Sequence, residues 1–161
     1  MLKLTATTAS KSVANDYGWH FACGHPGEAI RFVQGGKMRT LPAAFSELAA
    51  ALQFPWYFGE NLAALVDCIG DLSWLSDNIL IIVYDADLVL AEDDKPSFYA
   101  ALGRAAEAFS EADNPLHPDR TSPALFQLLF QCDPDKLDRV ERDARLLGNS
   151  CEIVDAAAAV P

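Results

Sequence analysis

Phe54-Pro-Trp-Tyr-Phe-Gly-Glu-Asn61-Leu-Ala-Ala-Leu-Val-Asp67-Cys-Ile-Gly-Asp71-Leu-Ser-Trp74 is the stretch on which the fold turns. From Asn61 onward it reads as a helix. With Asn61 at zero and about 100° per residue, Leu62, Leu65, Val66, Ile69 and Leu72 form an apolar stripe from roughly 20° to 140°. Asn61, Ala64, Asp67, Cys68 and Asp71 fall on the other side of the wheel, giving a small-residue platform flanked by an amide and two carboxylates. An exposed Asp beside an Ala gains little for a fold, so this face either meets water or is shaped to let something approach. Ahead of the helix, three aromatics occupy a turn. Trp56 and Phe58 are expected to tuck into the core, leaving Tyr57 half exposed, while Gly59 lets the backbone bend or be approached closely.

Working outward, Glu28 to Val33 alternates, with Ile30 and Phe32 opposite Arg31 and Val33, and runs into a Gly35-Gly36 turn, as a strand would. A helix follows: Thr40 caps it, Pro42 lies in its first turn, Leu41, Phe45, Leu48, Ala49 and Leu52 recur at helical spacing, and Pro55 stops it. Ile79-Leu-Ile-Ile-Val-Tyr84 is a continuous apolar run, the mark of a strand buried on both faces of a parallel sheet, and Ala124 to Phe130 reads alike. Between them Asp94 and Pro96 open a helix with Phe98, Leu102, Ala105 and Phe109 inward. Asp113 to Pro123 carries three prolines and reads as an exposed, mobile loop. Asp133-Pro134 opens a charged helix with Leu137, Val140, Ala144 and Leu147 inward, closed by Gly148, and Cys151 to Val154 reads as a last strand. Residues 1–16 read as polar and frayed, and Tyr17 to Cys23, alternating bulky and small, as an edge strand.

Strands alternating with helices predict an α/β fold: a small, mainly parallel sheet of three core strands, with one or two extra, packed by helices. The expected divisions are an N-terminal extension over 1–27, a central domain over 28–131, and a helix–strand addition over 132–161 packed on that domain.

The 161 residues carry 12 Lys plus Arg against 23 Asp plus Glu, a formal net charge of −11. That balance excludes a nucleic-acid binder, which needs clustered cations, and 51% hydrophobic residues exclude a disordered chain. The charge is uneven. Thr40 to Asp94 holds ten acids (Glu47, Glu60, Asp67, Asp71, Asp77, Asp85, Asp87, Glu92, Asp93 and Asp94) and no Lys, Arg or His. Such a block either solubilises a surface or steers a basic partner. The four cysteines, Cys23, Cys68, Cys132 and Cys151, form no C-x-x-C pair. With no apolar leader at the N-terminus and no membrane-length run, the expected setting is a reducing cytoplasm.

The aromatic turn and its helix, Phe54 to Cys68 followed by Asp71-Leu72-Ser73-Trp74-Leu75, resemble the barstar family of ribonuclease inhibitors. With flanking elements the resemblance covers Glu28 to about Phe130. It implies a parallel sheet packed by helices, no enzymatic activity, no cofactor, and a free monomer that plugs the active site of a basic, secreted-type ribonuclease or similar cationic toxin, as an immunity protein does. Residue by residue, Tyr57 and Gly59 match the turn that touches the enzyme's cleft. Asn61, Ala64 and Asp67 match the helix face that enters it, with Asp67 the carboxylate standing where a substrate phosphate would. Gly70 and Trp74 match the far end of that surface. Ala63 stands where the family carries a second interfacial acid, Val66 where it often carries an aromatic, and Glu107 is the candidate for a further acid on the next helix, with Arg104 close by. A ribonuclease cleft holds RNA phosphate with cationic side chains, so a rigid carboxylate can replace the phosphate through charge-assisted hydrogen bonds.

Other constellations are thinner. His20-x-x-Cys23-x-His25 lacks a fourth ligand at zinc spacing. Asp85-Ala-Asp87 follows a buried strand, where α/β enzymes often hold Mg²⁺, and supplies the alternative reading, a Mg-dependent hydrolase; no Lys, Thr or Ser motif completes such a site. Gly35-Gly36-Lys37 lacks the remaining P-loop residues. A third reading is an acidic interaction module for a basic partner that is not a nuclease.

Overall fold

Strand β3 (Asn78–Tyr84) is the apolar run, and it is paired on both sides, as its composition requires. A computed structural model describes residues 2–24, 28–75, 77–111, 114–118, 124–148 and 152–153. Beside β3 lie β2 (Ala29–Gln34) and β4 (Leu125–Gln131), with Ala29 opposite Ile79 and Ile79 opposite Phe126. Next to β4 comes β1 (Leu2–Thr7), in the register Leu4 to Leu128, and outermost β5 (Glu152–Ile153). Every pairing is parallel, and the sheet has five strands in the order β2-β3-β4-β1-β5.

Alternate residues of β3 and β4 serve opposite faces. Ile79, Ile81, Val83, Phe126, Leu128 and Phe130 join the main core with helices α2 (Leu41–Leu52), α3 (Leu62–Asp71), α4 (Lys95–Ser110) and α5 (Leu137–Ala144). Leu80, Ile82 and Leu129 face the other way, onto Ala14 of helix α1 (Lys11–Gly24). A Cβ on Gly18 of that helix would stand 2.7 Å from Ile82 Cδ1, so glycine permits the close approach.

The N-terminus departs from expectation. Residues 2–7 form an inner strand rather than a frayed end, because Leu4, Thr5, Ala6 and Thr7 are all buried. The segment read as an edge strand, Tyr17 to Cys23, is helical. Its bulky–small alternation is a helical face in disguise: Ala14 and Gly18, four apart, meet the sheet, while Trp19 points to solvent.

The helix ends follow the sequence. Thr40 Oγ1 accepts from Ala43 N–H to start α2, and Gln53 in the left-handed region (φ 54°) ends it ahead of Pro55. Asp94 precedes α4 but makes no side-chain cap; Ser97 donates to its carbonyl instead. The C-terminal helix packs Val140 and Ala144 into the core and is tied to α4 by an interior ion pair, Lys95 Nζ to Asp143 Oδ2 at 2.6 Å, both side chains almost wholly buried. Glu92 bridges the same region from the surface, accepting from Lys95 and from Arg139. Cys68 and Cys132 are free thiols, and the other two cysteine side chains lie outside the described residues, as does His25.

Candidate functional site

Helix α3 is presented by its caps. Asn61 Oδ1 accepts from Ala64 N–H at 2.9 Å, and its amide donates back to Gly59 carbonyl at 3.0 Å, so one side chain starts the helix and ties down the turn before it. A Cβ at Gly59 would meet Asn61 Nδ2 at 3.0 Å, which makes glycine the residue that fits. Leu72 (φ 39°) closes the helix, its N–H donating to Cys68 carbonyl. Leu65, Ile69 and Leu72 are buried, with Leu62 and Val66 packed against the core, as the wheel requires.

The aromatics divide differently from expectation. Phe58 packs between Phe54 (ring centroids 4.8 Å apart) and Phe45 (6.0 Å). Trp56, expected inside, is 96% exposed and stands edge-on to Tyr57, itself 61% exposed. The core position that Trp56 would fill is taken by Phe54 and Phe58, so the turn carries two large aromatics into solvent rather than one.

Asn61 and Asp67 are exposed and Ala64 is half-buried between them. Cys68 is buried, in contrast to the wheel, which placed it outward. Burial, then the carboxylates of Asp67 and Asp71, pushes its thiol above the ordinary range. Gly70 is buried too: a Cβ there would touch Ala108 of α4 at 3.5 Å, and its carbonyl accepts from Asn114 Nδ2 at 3.0 Å. Trp74 is half-buried, its indole N–H donating to Leu52 carbonyl at 3.0 Å. Tyr57, Asp67, Cys68, Asp71, Trp74 and Leu116 line a cleft of about 170 Å³. Tyr57, Asp67 and Trp74 thus share one surface, Asn61 and Ala64 occupy the preceding turn of the helix, Gly59 the bend before it, and Gly70 lies beneath.

Leu116 has no precursor in the sequence reading. It belongs to the stretch expected to be an exposed, mobile loop, in which Pro115, Leu116 and Pro118 are exposed but Asn114 and His117 are bonded to α3. Asn114 is buried and donates to Gly70 and Ala108 carbonyls, its Oδ1 accepts from Leu116 N–H at 2.9 Å, and the His117 ring bonds to the Asp71 carbonyl. An Asn-Pro pair does signal a turn, but a bond spanning 44 residues is invisible in the sequence.

The acids of the central block are not equivalent. Asp85 pairs with Lys11 at 2.5 Å, Glu92 with Lys95 and Arg139, and Glu47 accepts from Gln34 N–H. Glu60, Asp67 and Asp71 have no cationic partner among the described residues, although Asp71 Oδ1 accepts from Ser73 N–H. The carboxylates of the hydrolase reading are separated in environment: Asp85 is held by Lys11, whereas Asp87 is buried beside Arg39 and Arg139. Among the described residues no group of three or more His, Cys, Asp or Glu could hold a metal ion. Glu107 and Arg104 are both exposed on α4, Glu107 next to the Ala108 that faces Gly70. Among those residues no helix is long and apolar enough to cross a membrane.

The family model described as Barstar (barnase inhibitor) matches residues 29–119, more than half of the chain. No curated protein matches the sequence significantly. Similar solved structures include Cdc6p from Pyrobaculum aerophilum (19% identity over 95% of this chain and 39% of that one, TM-score 0.57). The ADP form of the ORC2 protein of Aeropyrum pernix is similar too (12% identity, 96% and 41% covered, TM-score 0.58). So is Drosophila ORC bound to GC-rich DNA and Cdc6 (13% identity, 96% and 49% covered, TM-score 0.53). The chain spans less than half the length of each of these, and at such identities the likeness is one of fold. It takes in β1, α1 and α5, which lie outside the family match.

Proposed function

The chain belongs to the barstar family, the barnase inhibitors, and from that premise we propose that it inhibits a basic, barnase-type ribonuclease by plugging its active site with the exposed face of α3. In this reading Tyr57 and Gly59 touch the rim of the enzyme's cleft, Asn61 and Ala64 let the helix approach closely, and Asp67 takes the place of a substrate phosphate. Gly70 contributes from beneath, by allowing α3 to sit close on α4, and Trp74 forms the far wall. No cofactor enters the act, which is steric occlusion with charge replacement.

One observation supports the reading most. Asp71 ends α3, at the negative end of its dipole, and Asp67 stands four residues before it, with no cation among the described residues beside either. Both placements cost the fold stability. A cationic cleft would reverse the sign of each cost, and the acids around it would speed encounter in a salt-dependent way. Ala63, in the place of a further interfacial acid, leaves Asp67 and Asp71 as the charged centre of the face.

The test is inhibition of RNA cleavage by a barnase-type ribonuclease titrated with this protein. A break at one equivalent is expected, with Asp67→Ala shifting inhibition to far higher concentration. Inhibition that is indifferent to Asp67→Ala would remove the site, and none at all would remove the function.

A further inference from the structure

We infer that the turn Asn114–Pro118 is a partner-selecting wall of this surface, and that Leu116, Tyr57, Trp74 and Asp71 together receive one arginine side chain of the basic partner. The inference rests on the inhibitor reading and adds to it residues from a different part of the chain.

The turn is built to hold its shape. Asn114 is buried and satisfies two carbonyls, of Gly70 in α3 and Ala108 in α4, while its own oxygens take the N–H groups of Leu116 and His117, each at 2.9 Å. The His117 ring bonds to the Asp71 carbonyl and stands edge-on to Phe109, 5.7 Å between centroids. On this fixed stem Leu116 is 52% exposed. A single exposed leucine is ordinary. Here, however, it faces the same cleft as Tyr57, and Tyr57 carries Trp56 beside it, so the exposed apolar surface runs from Trp56 to Leu116 with acids along its edge. A rimmed patch of that kind marks a contact surface.

The occupant follows from charge and shape. The cleft has two carboxylates without a cation of their own, and Ser73 N–H holds one oxygen of Asp71, which fixes the group and leaves its other oxygen available. The remaining walls are aromatic and aliphatic. A lysine ammonium would have to shed a strong hydration shell against them, whereas a planar guanidinium stacks on rings, is weakly hydrated and pairs with carboxylates through two N–H groups. The cleft, about 170 Å³, has room for one long side chain.

Calorimetry with a barnase-type ribonuclease, on the wild type, Asp67→Ala, Leu116→Ser and Asp71→Asn, tests the inference. Leu116→Ser should weaken binding about tenfold without altering its salt dependence, since it removes apolar contact only. Asp71→Asn should weaken binding and flatten the salt dependence. Both changes are at the surface, and thermal melts will show the fold intact. If Asp67→Ala abolishes binding while Leu116→Ser and Asp71→Asn leave it unchanged, the turn is no part of the interface and the inference is overturned with the inhibitor reading intact. Equal loss of salt dependence in both variants would overturn the division of roles. A wild type that fails to bind overturns the inhibitor reading, and this inference with it.

Discussion

Replacing Asp67 and Asp71 together by Asn should stabilise the free protein while damaging its binding. Asp71 is the last residue of α3, where a negative charge opposes the helix dipole at about 0.3–1 kcal/mol. The four-residue spacing of Asp67 and Asp71 adds a like-charge repulsion of about 0.2–0.5 kcal/mol. Asparagine keeps an oxygen for the Ser73 N–H that Asp71 now holds, so the substitution removes charge without removing that hydrogen bond. The sum is about 0.5–1.5 kcal/mol, which for a chain of this size is about 1–6 °C in melting temperature. The assay is urea and thermal unfolding at low and high salt. The gain should shrink at high salt, because exposed charges are screened. A double variant less stable than the wild type at low salt would refute the reasoning, since the carboxylates would then be serving the fold.

Two further perturbations reach other parts of the molecule. Lys95→Met leaves Asp143 buried without its partner and should cost about 3–5 kcal/mol in urea unfolding, while Lys95→Met combined with Asp143→Leu should recover most of that; a single variant no worse than the double would show that the pair does not fasten α5. Cys68, whose thiol is pushed up by burial and then by Asp67 and Asp71, should be alkylated by iodoacetamide at pH 8 much more slowly than free cysteine, and faster once both acids are Asn. Mass spectrometry after timed quenching reads both rates, and a wild-type rate equal to that of free cysteine contradicts the assignment.

The central strands and helices were legible because their signals are local. β3 is a nearly unbroken apolar run and β4 one interrupted only by Gln127, α2 has Thr40 and Pro42 at its start, and α3 combines a capping Asn61 with a stripe of Leu65, Ile69 and Leu72. What the sequence concealed depends on neighbours far along the chain. β1 is rich in Thr and Ala, so nothing in Leu2–Thr7 announces that β4 and β5 will enclose it. Among the described side chains of α1, Ala14 and Gly18 meet the sheet beside Tyr17, and the first two are too small to register as an apolar stripe. The site divides in the same way. Asp67 and Tyr57 belong to one contiguous motif, whereas Leu116 reaches their cleft only because Asn114 finds the Gly70 carbonyl. Trp56 misled because three aromatics compete for space that Phe54 and Phe58 fill.

The edges of the sheet bear on how a partner can be met. A parallel sheet ending in a long bare strand invites a further strand from another chain. Here β1 covers β4, which would otherwise be an edge, and among the described residues β5 pairs beyond it at Glu152–Ile153. At the opposite edge β2 is guarded by its own charged neighbours: Arg31 Nη1 donates to Ile30 carbonyl at 2.9 Å, and Glu47 accepts from Gln34 N–H at 3.1 Å. A strand docking along β2 would have to displace an arginine and a glutamate before gaining those two hydrogen bonds. Strand addition is therefore disfavoured at both ends, and α3 with its flanking turns offers unneutralised charge and exposed aromatics on a rigid frame. The N-terminal strand and α5 lie away from that surface and act on it through the sheet and α4, by fixing the elements on which α3 rests. Truncating residues 1–24 should accordingly uncover β4 and promote self-association, which sedimentation velocity would read as species larger than the monomer; a truncated chain that stays monomeric and as stable as the full chain would show that β1 protects nothing.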